Sequence, residues 1–197
     1  MKICENDSTS INSTHTTNDD SVDNWYVIHT ISGREHNLIQ FIESNIDSNL
    51  VKECFVPKRE RSKKFNGKRQ TITERLFPGY VFVITPKPEQ LFFELKQYPN
   101  FSKILCDSEY TFASLNEKEI DFIRRIGNGR PDHTIKISTV DFNIGDNVVY
   151  IEGDLKSFEG EIKKFDKHKR QAVVETEMFG RTVEVYLGFD FLQKIPS

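Results

Sequence analysis

Apolar residues along this chain fall into short runs, and the spacing inside each run separates strands from helices. Trp25-Tyr26-Val27-Ile28-His29-Thr30 is aromatic and β-branched, which predicts a first strand with Trp25 in its core. Ser32-Gly33-Arg34-Glu35 matches a capping box, and behind it Leu38, Ile39, Ile42 and Ile46 recur at helical spacing. Cys54-Phe55-Val56-Pro57 predicts a second strand. Phe77-Pro78-Gly79-Tyr80-Val81-Phe82-Val83 predicts a turn feeding a buried strand, because Pro78 fixes its own φ and Gly79 accepts backbone angles that side chains resist. Thr85-Pro86 predicts a helix start, with Leu91, Phe92 and Leu95 facing inward and Pro99 closing the segment. Phe101-Ser102-Lys103-Ile104-Leu105 predicts a short strand. A third helix follows, with Asn116 and Glu119 as a cap pair, Ile120, Ile123 and Ile126 on one face, and Gly127 as the stop. The order β-α-β-β-α-β-α predicts an α+β fold, a ferredoxin-like sandwich with helices on one face of an antiparallel sheet.

Gly127-Asn128-Gly129-Arg130-Pro131 breaks this pattern. Beyond it helical spacing vanishes, and Val148–Ile151, Gly160–Phe165, Ala172–Thr176 and Arg181–Leu187 predict the strands of a small antiparallel barrel. The expected organisation is a flexible acidic tail over residues 1–23, a first domain over 24–127, a linker over 128–139 and a barrel over 140–197. The tail is rich in Ser, Thr, Asn and Asp and has too few large apolar groups to offset the entropy of ordering.

At 197 residues, 37% hydrophobic and 29% charged, the chain has the profile of a globular protein able to bury two modest cores. Cys4, Cys54 and Cys106 are far apart and in no metal-ligand spacing, which predicts free thiols in a reducing cytosol. No run is long enough for a membrane span and the N-terminus lacks a signal-peptide pattern, so a cytoplasmic protein without membrane contact is expected.

The formal net charge of -3 conceals a basic middle. Between Lys58 and Arg75 stand eight Lys or Arg against two Glu, with Asn66-Gly67 marking a tight hairpin turn. Lys58, Arg59, Arg61, Lys63 and Lys64 on its first arm fit two readings. One is a solvated edge guarded against strand pairing; the other is an arm that positions nucleic-acid phosphates. The second basic cluster is Lys163, Lys164, Lys167, His168, Lys169 and Arg170 around an inward-pointing Phe165, a compact loop suited to an RNA backbone. Phe77 and Tyr80 flank the Pro78-Gly79 turn, placing a ring at a strand mouth where it serves either the core or a partner. No nucleophile motif, phosphate-binding glycine loop or metal-ligand pair occurs, and the five His are scattered. A non-catalytic protein with no metal and no cofactor is expected.

The first domain, opening on Trp25-Tyr26-Val27 and containing Phe77-Pro78-Gly79-Tyr80-Val81, is followed by a barrel with Gly145-Asp146, Gly160 and Met178-Phe179-Gly180-Arg181. In that order they resemble the NusG family over roughly residues 24–195. The resemblance implies an NGN domain followed by a KOW domain in a small SH3-like barrel. It further implies RNA polymerase binding, with Tyr26, Phe77, Pro78, Gly79 and Tyr80 packing on the clamp helices of the largest subunit. The basic hairpin would lie near non-template DNA. Phe55-Val56-Pro57-Lys58-Arg59-Glu60, Leu155-Lys156 and His168-Lys169-Arg170 followed by Ala172-Val173-Val174-Glu175 are most similar to the specialised LoaP antiterminator branch. That branch implies an RNA hairpin in the nascent transcript as a partner of the barrel. Met178-Phe179-Gly180-Arg181 is instead similar to the housekeeping pattern. Housekeeping members place Pro-Phe where this chain has Asp154-Leu155, in a surface used for the terminator Rho and a ribosomal protein. The expected function is a monomeric, operon-specific antitermination factor. The alternatives are a general NusG factor coupling polymerase to Rho or the ribosome, and a ribosome-associated structural protein with a KOW barrel.

Overall fold

The computed structural model describes residues 2–3, 24–98, 103–108, 111–112 and 114–192. Most of the expected tail, residues 4–23, lies outside the described residues, as do Pro99 to Ser102. The chain forms two compact units, one drawn from residues 1–56 and 78–116, the other from 57–77 and 117–197.

The first unit is built on β1 (Lys2–Ile3), β2 (Asn24–His29), α1 (Glu35–Asn45) and β3 (Glu53–Phe55). The chain then passes through the second unit as the hairpin β4 (Lys58–Phe65) and β5 (Lys68–Arg75). It returns as β6 (Tyr80–Thr85), α2 (Pro88–Leu95), β7 (Lys103–Ser108) and β8 (Thr111–Phe112). The central sheet runs β7-β2-β6-β3 with every neighbouring pair antiparallel, and β1 and β8 add to β7. Numbered by its four long-range strands this is the order 4-1-3-2, the expected ferredoxin-like arrangement; the third helix of the expected β-α-β-β-α-β-α order, Glu117–Arg125, falls instead in the second unit. Leu38 and Ile42 of α1 and Leu91 and Leu95 of α2 pack with Ile28, Val81 and Val83 into one core. Trp25 meets Phe55 edge-on, their ring centroids 5.8 Å apart.

Two boundaries differ from the sequence expectation. Ser32 makes no capping box, since the helix is preceded by Arg34 with no side-chain cap, and Glu35 turns its carboxylate to other donors. The second helix begins at Pro88 rather than Pro86, because the Thr85 hydroxyl accepts the Lys87 N–H and donates to the Leu50 carbonyl, holding Pro86 and Lys87 outside the helix.

Cys54, half-buried on β3, has its thiol pushed up to about 11, first by burial and then by Glu43 and Glu53. The unfolded thiol, at 9.0, releases its proton before the folded one. Stability from this group is therefore complete below that value and lost as pH rises through the folded value. Urea melts across this alkaline window should show a decline that Cys54→Ala reduces. An identical decline in the variant would refute the assignment.

The second unit continues after the hairpin with α3 (Glu117–Arg125), a 3-10 turn (Ile126–Gly129), β9 (Thr134–Ile135), β10 (Ser138–Phe142) and β11 (Val148–Glu152). A 3-10 helix (Asp154–Glu161) leads to β12 (Ile162–Asp166), β13 (Gln171–Met178) and β14 (Arg181–Phe191). The barrel sheet runs β11-β10-β14-β13-β12, and a three-stranded sheet β5-β4-β9 adjoins it. Asn66 and Gly67 both take positive φ, which is the tight hairpin turn predicted from Asn-Gly. The segment read as a linker carries β9 and the start of β10, short strands that its Gly and Pro content obscured. The expected strand at Gly160 begins only at Ile162, since Asp154–Glu161 is helical and buries Leu155 and Phe158.

Candidate functional site

In the first unit, the Pro78-Gly79 turn is held from two sides. The Thr30 N–H donates to the Gly79 carbonyl at 2.8 Å, and the Gly79 N–H donates to Glu35 Oε1 at 2.7 Å. Glu35 is fully buried, and its Oε2 also accepts the Gly33 N–H at 2.9 Å. Gly79 has φ +85°, and a Cβ there would lie 3.1 Å from the Thr30 carbonyl oxygen, so the turn needs glycine on both counts. The fixed turn presents Pro78 to solvent and leaves the Tyr80 ring half-buried, edge-on to His29 at 5.2 Å. Tyr26, one of the expected contact residues, is only 6% exposed and belongs to the core, where burial raises its pKa against a hydrogen bond from Asn24 that lowers it.

Phe77 belongs to the second unit and is 8% exposed, packed edge-on against Phe179 with centroids 5.7 Å apart. The Phe179 N–H donates to Glu119 Oε1 at 2.7 Å, which ties the β13–β14 turn to α3. The aromatic constellation read from the sequence is thus divided. Tyr80 is its partly open ring; Tyr26 and Phe77 are packed.

The basic residues divide in the same way. Arg59 and Arg61 share Glu74, at 3.6 and 3.1 Å, and Arg59 Nη1 donates to the Tyr186 carbonyl at 2.7 Å. Burial lowers the Arg59 pKa, partly offset by Glu74. Arg59 holds the hairpin base to the barrel, while Arg61 ties the two strands of the hairpin together. Lys58, Lys63 and Lys64 carry no ion pair among the described residues, and Lys63 sits over the Phe65 ring at 5.3 Å. On the barrel, Lys163 pairs with Glu175 at 2.8 Å, Lys167 with Asp146 and Arg170 with Asp190. Lys164 and Lys169 are exposed, Lys169 facing Asp166 at 3.8 Å, and the exposed His168 offers its carbonyl to Arg69 at 3.4 Å. The Lys169 N–H donates to Asp166 Oδ1 at 2.8 Å, which holds the Asp166 carboxyl below its ordinary value and fixes the turn.

Asp154 accepts from Arg130 and from the Lys136 N–H, and Leu155 is 1% exposed, its N–H bonded to Ser138 Oγ at 2.8 Å. Leu155 is thus a core residue beside a paired aspartate. Glu35, Arg69 and Gly188 were absent from the sequence-based site. Glu35 was hidden by its match to a capping box, and Arg69 and Gly188 act through contacts more than ninety residues away or by steric fit. Among the described residues no helix is long and apolar enough to cross a membrane, and no group of His, Cys, Asp and Glu is arranged to hold a metal.

A family model described as Transcription termination factor nusG matches residues 23–124. The Transcription termination/antitermination protein NusG of Halalkalibacterium halodurans is 29% identical over 178 residues, covering 87% of this chain and 98% of that protein. Its namesake in Bacillus subtilis is 27% identical over 180 residues, with coverage of 87% and 98%. A solved structure described as "Domain interaction in Thermotoga maritima NusG" matches with a TM-score of 0.54 and 24% identity, over 85% of this chain and 94% of that one, a likeness of fold.

Proposed function

Since the chain belongs to the NusG family of transcription termination and antitermination factors, we propose that it is an operon-specific, LoaP-like processive antitermination factor. In this reading an NGN domain over residues 24–127 docks on the clamp helices of RNA polymerase. A KOW domain over 140–197 engages a hairpin in the nascent RNA, with tethering to polymerase raising its effective concentration for emerging transcript. The observation that carries the polymerase contact is the half-buried Tyr80 ring beside the exposed Pro78, on a turn that buried Glu35 makes rigid. A pre-organised ring of this kind binds a helical groove with little ordering cost.

Tyr80→Ala should weaken binding to purified core polymerase by about 2 kcal/mol, as for a buried aromatic anchor, while leaving the thermal melt unchanged. Wild-type affinity in a correctly folded variant would remove Tyr80 from the interface.

A general NusG role coupling polymerase to Rho or the ribosome is the second reading, favoured by the housekeeping relatives at 29% and 27% identity. Buried Leu155 favours the specialised reading, because it withholds the apolar side chain that the Rho surface would use. Calorimetry of the full chain against Rho separates the two, and micromolar binding would select the general role.

A further inference from the structure

The hairpin and the barrel turn lie far apart in sequence, but the second unit joins them. Strand β4 crosses β14 at Gly188, where a Cβ would stand 2.5 Å from the Glu60 carbonyl oxygen and 3.0 Å from Arg61 Cα, so the two backbones touch. Further along the hairpin, Arg69 reaches from Ser62 Oγ to the His168 carbonyl, each at 3.4 Å. The hairpin tip and the turn at residues 167–170 are therefore neighbours on one face.

Charge on this face is only partly balanced. Arg59, Arg61, Lys167 and Arg170 have acidic partners, and exposed Lys169 has Asp166 at 3.8 Å. Lys63, Lys64, Lys68 and Arg69 on the hairpin and Lys164 on β12 have no ion pair among the described residues. The register sets Lys64 directly opposite Arg69, a like-charge cross-strand pair that costs stability unless an anion relieves it. Exposed Phe65 and Phe191 have cations over their faces, Lys63 at 5.3 Å and Arg170 at 5.2 Å. Covered rings do not offer the open stacking platforms that a single strand uses, and a duplex backbone is the better fit.

We propose that Lys64 of the hairpin and Lys164 and Lys169 of the barrel, bridged by Arg69, form one continuous phosphate-binding surface that grips the stem of a single RNA hairpin. The inference rests on the RNA-binding reading above and extends it: both basic clusters serve one ligand, rather than DNA at the hairpin and RNA at the barrel. Arg69 is the positioning residue between them, its guanidinium holding the turn carbonyl while the flanking lysines face phosphate.

The test uses the full chain and a labelled RNA hairpin with a stem of about 16 base pairs, titrated by fluorescence anisotropy at several salt concentrations. Lys64→Ala removes the hairpin contribution, and Lys164→Ala with Lys169→Ala removes that of the barrel. Both should lower affinity with an unchanged melt, and the magnitude of the log–log salt slope should fall by about 0.9 for the hairpin variant and about 1.8 for the barrel pair, one and two phosphates' worth. Binding should be one to one, and excess unlabelled DNA duplex should displace the RNA rather than join it. If Lys64→Ala leaves affinity and slope at wild-type values while the barrel pair weakens them, the single surface is refuted and the RNA reading survives on the barrel alone. A ternary complex with RNA and DNA would refute it equally. If neither variant changes RNA binding, the RNA reading falls along with it.

Discussion

Replacing Glu35 with alanine is expected to destabilise the first unit by about 2–3 kcal/mol, since it strands the buried Gly79 N–H and also removes the acceptor of the Gly33 N–H. The carboxylate accepts the Gly33 N–H at 2.9 Å and the Gly79 N–H at 2.7 Å from a fully buried position; Gly79 is buried with it, whereas exposed Gly33 can turn to water. Amide hydrogen exchange gives the local readout: protection of Gly79 and Gly33 should collapse before that of the β2 and β6 amides. Glu35→Gln should lose less, because its one carbonyl oxygen still satisfies one donor while its amide opposes the other. Full protection at Gly79 in Glu35→Ala would show that the turn is held by its bond with Thr30 alone. The same loss should carry through to polymerase affinity, because the turn that Glu35 fixes aims Tyr80.

Phe189→Ala should have the largest effect on the barrel, about 3–5 kcal/mol in urea melts of the full chain followed by circular dichroism. Phe189 is fully buried, and Phe142, Phe165 and Phe191 surround it with ring centroids 5.5 to 5.8 Å away. Deleting the hub leaves a cavity that three rings cannot close together. Phe165 is half-buried, so Phe165→Ala should cost clearly less. Lys167 lies 4.0 Å from the Phe142 centroid, and Lys167→Ala should cost only about 0.5–1 kcal/mol through the lost cation–π contact. A Phe165 variant as damaging as the Phe189 variant would move the hub to Phe165.

These effects also explain which parts of the molecule could be read without coordinates. Strand and helix positions came through because they depend on spacing a few residues long: Trp25 to Ile28, the Leu38 and Ile42 face, and the Asn66-Gly67 turn each form as their local pattern requires. The ferredoxin-like order followed from element sequence, since short connections and antiparallel pairing leave few alternatives. The two basic clusters were visible for the same reason, as runs of charge.

What pattern could not supply was the use of each side chain. Glu35 satisfies a capping motif, yet a carboxylate bonds to whichever buried donors lie nearest, and Gly79 is 44 positions away. Arg59 and Lys64 are equivalent in a charge count, but Glu74 and the Tyr186 carbonyl claim the first and nothing acidic among the described residues claims the second. Phe77 and Tyr80 look alike beside their turn, and only packing covers one with Phe179 and leaves the other half-open beside His29. Local order is fixed by neighbours in the chain, so it is written in the residues; partner choice is fixed by neighbours in space, and that came only with the folded backbone.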